Sequence, residues 1–349
     1  VREVRNKYRN RKFLFPLLDQ GPNNQYLQFR VALAKAHSMN RTLVLPLWLP
    51  HNPKFLHLHE GAPPEPSRDK YLDSISYPFE STFDPEYLSR FVRTIDLPTF
   101  RTLTDAKLEL CLSHEGGFES YLRHSGLECE SYSGADASVQ APRAFSNVRF
   151  LGYHSFDHEV GTRDRYYAYL RWSPPLLKAA EWAYEMLFNG TSYAAAHIRV
   201  ADAHWDLTDC KHSINSQPVA SVSCGDGVNA INYSSIAQEL WYMLKTTDQK
   251  LLYVSTNMNC TDMRLMRIAL MLSRRNIRLL CAKDMVREHL GGQDNYFVSL
   301  VEQELCQRAN AFMGSKYSTW TDTVWGLRLH NSKSTNNYMF EELWALGIK

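Results

Sequence analysis

The sequence predicts an α/β protein of two domains, each built on a parallel β-sheet. The chain has 349 residues, of which 44% are apolar and 22% charged, enough for two hydrophobic cores of ordinary size. Short apolar runs alternate with amphipathic stretches of helical period in both halves of the chain. Strands that alternate with helices in this way form parallel sheets.

The first half contains one clear strand–helix–strand unit. Apolar residues 13–18 predict a strand, which turn-forming residues follow. Residues 25–37 repeat apolar side chains at helical spacing, and residues 42–45 predict a second buried strand. Residues 50–66 are rich in His and Pro and predict a loop, whereas residues 80–170 follow no clear pattern.

The second half shows the alternation more clearly. Its first helix has prolines in the opening turn, so we place the domain junction just before it and expect domains at residues 1–172 and 173–349. The predicted elements are helix 176–188, strand 193–198, helix 234–245, strand 251–256, helix 262–273, strand 277–280, helix 298–309, strand 311–313 and helix 321–328.

Charge, apolar run length and motif content exclude several functional classes. With 39 Lys+Arg against 37 Asp+Glu, the chain lacks the basic surplus that binds nucleic acid. Its apolar runs are far shorter than the ~20 residues that cross a bilayer, so we expect no membrane span. Neither a Walker-type nor a Gly-x-Gly-x-x-Gly motif is present, which argues against P-loop hydrolases and ordinary dinucleotide oxidoreductases.

Cysteines and glycosylation triplets favour the secretory pathway. The seven cysteines include two pairs, Cys111/Cys129 and Cys210/Cys224, that bracket short loops of the kind a local disulfide closes. No Cys-x-x-Cys spacing occurs, which argues against structural zinc. Asn-x-Ser/Thr triplets begin at Asn40, Asn189, Asn232 and Asn259. The chain opens without a signal peptide, so it is either cytosolic or a mature chain whose leader has been removed.

Ligands of parallel α/β folds bind beyond the carboxyl ends of the strands, and the first polar strand end is at residues 21–25. Gly21 permits close approach of the backbone to a ligand, and the following helix start favours an anion. Asn23 and Asn24 add amides that both donate and accept hydrogen bonds. The alternative is that one of these asparagines only caps the helix.

The second polar strand end follows three alanines. His197 and Arg199 project to the same side of a strand, and Asp202 follows closely. An arginine guanidinium matches phosphate oxygens with two hydrogen bonds. The alternative is a buried Arg–carboxylate pair beside a core histidine.

The third polar strand end carries Ser318 and Thr319 just before a helix. Hydroxyls and backbone N–H groups there form a phosphate cradle, although the same residues also serve as ordinary caps. Together the three ends predict a cleft that grips a diphosphate from both domains. The sequence has no Asp-x-Asp pair to hold a metal at such a diphosphate, so positive side chains and helix ends must neutralise its charge.

At these residues the sequence resembles the GDP-fucose protein O-fucosyltransferases, in particular those that modify EGF-like repeats. The similar segments are residues 21–46, 78–100, 197–205, 252–256 and 309–320. The resemblance implies a GT-B fold, in which two Rossmann-like, doubly wound domains face a central cleft. It also implies GDP-fucose as donor, inverting transfer, no obligatory metal and residence in the lumen of the endoplasmic reticulum. The first domain would supply the acceptor side and the first donor loop, and the second would bind the GDP-sugar.

The resemblance also implies roles for individual residues. Arg199 matches the arginine that holds the β-phosphate and stabilises departing GDP, and His197 matches its neighbour at the nucleotide. Asn24 matches the asparagine at the reacting centre. Gly21 and Asn23 lie in the same donor loop. Either Asp202 or His204 fills the family's aspartate position. The family's segment around the phosphates corresponds to Ser318, Thr319 and Trp320.

The leading hypothesis is therefore an inverting glycosyltransferase that moves fucose from GDP-fucose to a Ser or Thr hydroxyl of a small, disulfide-rich protein domain. Asp19 and Asp202 are the candidates for the general base near these strand ends, and the alternative is an oxocarbenium-like transition state with late deprotonation. Two alternatives stay open. One is the same fold with a different acceptor or nucleotide sugar, and the other is a protein that binds its client without turnover.

Overall fold

The computed structural model describes residues 2–19, 21–49, 76–113, 118–133, 145, 147–154, 165–198, 233–291, 295–315, 318–331 and 336–340. The chain divides into two compact units, Val1–Pro175 and Leu176–Lys349. Within the described residues, no helix has both the length and the apolar character needed to cross a bilayer.

The first unit alternates strands with helices. Its helices are α1 (Arg2–Lys7), α2 (Pro22–Ser38), α3 (Pro85–Ser89), α4 (Leu97–Thr104) and α5 (Glu119–His124), and 3-10 turns span Phe79–Ser81 and Arg165–Tyr169. Its strands are β1 (Phe13–Pro16), β2 (Thr42–Val44), β3 (Leu47–Trp48), β4 (Tyr77–Pro78), β5 (Thr94–Ile95), β6 (Lys107–Leu108), β7 (Leu110–Leu112), β8 (Glu128–Cys129), β9 (Tyr132–Ser133) and β10 (Phe150–Tyr153).

Six strands of this unit form one parallel sheet in the order β5–β2–β1–β10–β7–β9. Strand β1 is completely buried, as its unbroken apolar sequence predicts for a central parallel strand. The strand order reverses between β1 and β10, because β2 and β5 lie on one side of β1, whereas β10, β7 and β9 lie on the other. The loop from β1 to α2 therefore leaves the sheet at a topological switch point.

The second unit has a simpler alternation. Its helices are α6 (Pro174–Phe188), α7 (Tyr233–Thr246), α8 (Met263–Ser273), α9 (Lys283–His289), α10 (Asn295–Arg308) and α11 (Thr319–His330). Its strands are β11 (Ala194–Ile198), β12 (Leu251–Thr256), β13 (Arg278–Leu280), β14 (Ala311–Gly314) and β15 (Asn337–Met339).

These five strands form a second parallel sheet in the order β13–β12–β11–β14–β15. This is the 3-2-1-4-5 order of a Rossmann-like sheet, with its switch point between β11 and β14. Strands β11 and β12 are buried along their whole length, and the helices α7 and α8 pack their apolar sides on the sheet. The carboxyl ends of β11 and β14 are therefore the expected ligand edge of this unit.

The structure confirms the predicted strands of both halves and corrects several helices. Helix α2 begins at Pro22 rather than Gln25, because proline at its first position is compatible with a helix start. Helix α11 begins at Thr319, two residues before the predicted start. Helix α9 was not predicted, since it has only seven residues and buries only Val286.

The disulfides confirm one prediction and add a pair that the spacing did not indicate. Cys111 is bonded to Cys129, as expected, and Cys260 is bonded to Cys281. Cys306 is a free, buried thiol on α10. Cys210, Cys224 and the predicted loop at 50–66 lie outside the described residues.

Candidate functional site at the strand ends

His197 lies at the carboxyl end of β11 and is only 6% exposed. Its Nδ1 is 2.9 Å from the Thr321 hydroxyl, and its ring stacks on the Trp320 indole with centroids 4.1 Å apart. The Ser315 hydroxyl donates a hydrogen bond to the backbone carbonyl of His197 at 2.9 Å. The end of β11, the end of β14 and the first turn of α11 thus meet around one imidazole.

Trp320 is held in place from its other side. Its indole N–H donates to the Ser299 hydroxyl on α10 at 2.8 Å. Because this donor is already used, the indole contributes a flat, fixed surface beside His197 rather than a free polar group.

Ser318 occupies the N-cap position of α11 and is buried, yet its side chain makes no capping hydrogen bond. The alternative that Ser318 is an ordinary cap is therefore only half correct, because the residue occupies the N-cap position but its side chain does not bond to the first turn of the helix. The first turn of a helix presents N–H groups without intrahelical partners and carries a partial positive charge. This turn also contains the acidic residue Asp322, which opposes an anion there.

Gly314 ends β14 directly beneath that turn. A Cβ added to Gly314 would overlap the Cγ2 methyl of Thr321 and lie 2.9 Å from its hydroxyl oxygen. Thr321 has no exposed surface, so it has little room to move away. The absence of a side chain at residue 314 is what lets Thr321 reach His197.

A buried carboxyl group lies on the same face of the second sheet. The Tyr253 hydroxyl donates to Glu302 Oε1 at 3.2 Å, and Ser255, which pairs with His197 across β11 and β12, also bonds to Glu302. Burial raises the pKa of Glu302 to about 7, although the positive charge of Lys283 acts in the opposite direction.

In the first unit, Gly21 is the N-cap of α2, while Asn23 and Asn24 lie in the first turn of that helix. The alternative in which an asparagine caps the helix is therefore wrong. Gly21 has φ −78° and ψ 164°, an extended conformation that any residue adopts. We therefore expect Gly21 to contribute by letting a ligand approach the backbone closely, and not by adopting unusual dihedral angles.

The structure brings four predicted site residues of the second unit together: His197, Ser318, Thr319 and Trp320. It brings Gly21, Asn23 and Asn24 together in the first unit. Arg199, Asp202 and His204 lie outside the described residues, so their roles stay predictions. No three His, Cys, Asp or Glu side chains of the described ranges are grouped so that they could hold a metal ion.

Sequence reasoning missed the role of Thr321, which bonds to His197, and that of Gly314, which leaves Thr321 the room to do so. The available signal for Thr321 was the alternation of threonines at positions 319, 321 and 323. This pattern does not indicate which of the three hydroxyls faces the sheet. Sequence reasoning also missed His154, which follows β10 at the ligand edge of the first sheet.

The fold is that of solved GT-B glycosyltransferases. The chain is similar to POFUT1 in its apo form, with 18% identity, 95% of this chain and 98% of that chain covered, and a TM-score of 0.67. A POFUT1 structure in complex with GDP-fucose matches at 19% identity, with 94% of this chain and 98% of that chain covered, and a TM-score of 0.68. No curated protein matches the sequence significantly.

The two parallel sheets thus define the fold as GT-B type. The sequence profile described as GDP-fucose protein O-fucosyltransferase matches residues 18–331. The chain therefore belongs to the GDP-fucose protein O-fucosyltransferase family, as its motifs indicated.

Proposed function

We propose that this enzyme transfers fucose from GDP-fucose, with inversion, to a Ser or Thr hydroxyl of a folded, EGF-like protein domain. The observation that carries the proposal is the arrangement of His197, Thr321 and Trp320 beside the N-terminus of α11, at the switch point of a Rossmann-like sheet. The similarity to POFUT1 structures that contain GDP-fucose or GDP supports the choice of donor.

The diphosphate of the donor fits the first turn of α11. The Ser318 side chain, which makes no capping hydrogen bond, Thr319 and the first-turn N–H groups offer donors to phosphate oxygens. The partial positive charge of a helix start does not neutralise a diphosphate, so a cation must complete the site. Arg199 follows β11 directly in the sequence and supplies a fixed positive charge for the β-phosphate. Asp202 or His204 lies close behind it as a further donor contact.

Departure of GDP is the main electrostatic task of the reaction. Negative charge grows on the β-phosphate as the glycosidic bond breaks, and pre-oriented donors stabilise it most at that moment. These donors require no metal, so we propose that Arg199 and the α11 turn replace one. Trp320 and His197 act by keeping this turn and the end of β11 rigid.

The acceptor hydroxyl attacks the face of the sugar opposite to GDP and loses its proton. Asn24 at the reacting centre orients the reactants but is not basic at neutral pH. Either Asp19 or Asp202 accepts the proton, or the hydroxyl is deprotonated late, after the sugar has developed positive charge.

We further propose that the enzyme acts in the lumen of the endoplasmic reticulum. The disulfides Cys111–Cys129 and Cys260–Cys281 support an oxidising compartment. An EGF-like acceptor, which is itself disulfide-rich, folds in the same compartment. We choose this class of acceptor because of the motif resemblance.

Calorimetric titration with GDP tests the donor, with UDP and ADP as controls, and GDP-fucose turnover with and without an EGF-like domain then tests the acceptor. GDP-selective binding with acceptor-dependent GDP release is the expected result. Selective binding with no turnover on the EGF-like domain rejects that acceptor and keeps the donor. Absence of GDP binding rejects the donor and favours the client-binding alternative.

A further inference from the structure

A chain of buried side chains links three strand ends of the first sheet. Gln28 of α2 accepts a hydrogen bond from the Asp19 backbone N–H at 2.8 Å through Oε1. Gln28 Nε2 lies 3.3 Å from His154 Nε2, and His154 Nδ1 lies 3.1 Å from the Ser113 hydroxyl. Asp19 follows β1, His154 follows β10 and Ser113 follows β7, and these strands are neighbours in the sheet. Gln28 and His154 are 2% and 4% exposed, so water screens the contact between them little.

The hydrogen-bond pattern determines the orientation of each group. A backbone N–H only donates, so the Gln28 oxygen faces Asp19 and its NH2 group faces His154. His154 Nε2 must then accept, and the imidazole carries its proton on Nδ1, facing Ser113. With its proton on Nδ1, His154 fixes the amide plane of Gln28.

This network is placed to control the loop that carries the asparagines of the donor site. Asp19 lies two residues before Gly21, the N-cap of α2, and Gln28 is one turn beyond Asn24 on that helix. On the same helix, the side-chain amide of Gln25 makes two hydrogen bonds to the backbone of Leu49, each at 3.0 Å. Its Nε2 donates to the Leu49 carbonyl, and its Oε1 accepts from the Leu49 N–H. The N-terminal part of α2 is therefore tied through Gln28 to the chain before it and through Gln25 to the chain after β3.

We propose that Gln28 and His154 are positioning residues that set the position of Asn24 in the reaction, a step that rests on the proposed function. Gln28 fixes the distance between the start of α2 and the end of β1, and His154 fixes Gln28. Misplacement of a reacting group by about 1 Å can cost roughly 10²-fold in rate. The network therefore contributes to kcat more than to the binding of GDP, for which the groups of the second unit are proposed.

Two variants of one residue test the proposal. Gln28→Leu removes both hydrogen bonds at similar side-chain volume, whereas Gln28→Glu keeps an oxygen for the Asp19 N–H and offers a second one to a His154 protonated on Nε2. We expect Gln28→Leu to lower kcat for GDP-fucose transfer at least about tenfold, with GDP affinity within about threefold of wild type. Gln28→Glu should recover most of that loss. Wild-type kcat in a folded Gln28→Leu, or equal losses in both variants, overturns the proposal.

Hydrogen exchange separates this proposal from the proposed function. In Gln28→Leu we expect faster exchange of the Asp19 amide and the first turn of α2, with unchanged protection of β10. If the wild type transfers no fucose, the proposed function fails, and unchanged Asp19 exchange in Gln28→Leu would then overturn the positioning role as well. If Gln28→Leu does not fold, His154→Leu replaces it, because it leaves the Asp19–Gln28 bond in place. We then expect a loss of at least about threefold in kcat, and wild-type kcat overturns the proposal.

Discussion

Adding one methyl group at Gly314 should weaken both the fold and the proposed nucleotide site of the second unit. In Gly314→Ala the new Cβ overlaps the Thr321 methyl, which is completely buried and cannot swing into solvent. Thr321 must shift, and its 2.9 Å hydrogen bond to His197 lengthens or breaks. The change therefore reaches the ligand edge through a single intermediate side chain.

The magnitude follows from these two effects. Overpacking a well-packed core costs about 1–3 kcal/mol, and loss of a buried hydrogen bond adds about 0.5–1.5 kcal/mol. We expect the free energy of unfolding to fall by about 2–4 kcal/mol, which lowers the Tm of a unit of this size by about 5–12 °C. Loss of the His197 contact should also weaken GDP binding about three- to tenfold.

Thermal unfolding and GDP calorimetry of four proteins measure the effect: wild type, Gly314→Ala, Thr321→Ser and the double variant. Thr321→Ser removes the overlapping methyl and keeps the hydroxyl for His197, so the double variant should be clearly more stable than the two separate losses predict. Additive losses would show that the overlap with Thr321 is not the cause. A Gly314→Ala protein with wild-type Tm and GDP affinity would refute the packing argument itself.

Four further changes probe other parts of the molecule. Arg199→Ala should reduce turnover at least roughly 10²-fold if Arg199 makes the proposed charge-assisted contact with the β-phosphate. Exposed Arg267→Ala is the control, and retained activity refutes the role. Arg328→Met should destabilise the second unit by about 3 kcal/mol or more in chemical denaturation, because Arg328 donates to three backbone carbonyls at the end of α10. Arg328→Lys should recover only part of the lost stability. Replacing Cys111 and Cys129 together by Ser should cost about 3 kcal/mol, since the disulfide closes a loop with a sequence separation of 18; an unchanged Tm contradicts this. The pKa of Glu302 is about 7 in the folded protein against an ordinary 4.5, so the folded state binds a proton more tightly than the unfolded state, and stability falls as pH rises between these values. Glu302→Gln should remove up to about 3 kcal/mol of that fall between pH 5 and pH 8. Stability curves of wild type and variant that run parallel over this pH range would contradict the assignment.

Much of the fold was predictable because its signals are local. The buried runs of β1, β11 and β12 and the helical spacing of α2 and α8 are readable within a dozen residues. Helix α9 was missed because one buried residue in seven makes no period. Cys260 and Cys281 were not paired in advance, because no turn or glycine-rich loop marks that disulfide.

The candidate site divides in the same way. Ser318 and Thr319 stand just after a predicted strand, so their position at the ligand edge followed from the pattern alone. Nothing local indicates that Thr321 touches His197, which is 124 residues away. The same holds for Gln28 and His154, which are 126 residues apart.

The amino-acid sequence by itself determined the α/β alternation, the parallel sheets, the family and the polar strand ends at which we expect the ligand. These depend on hydrophobic period, turn chemistry and short motifs, which each segment carries within itself. Only the tertiary structure decided which side chains meet at those ends. Strand order placed β14 beside β11 and β10 beside β1, and the crossover connections that set this order bring together residues far apart in the chain. The positions of Thr321 on His197 and of Gln28 on His154 are therefore properties of the packed sheets and not of any local sequence pattern.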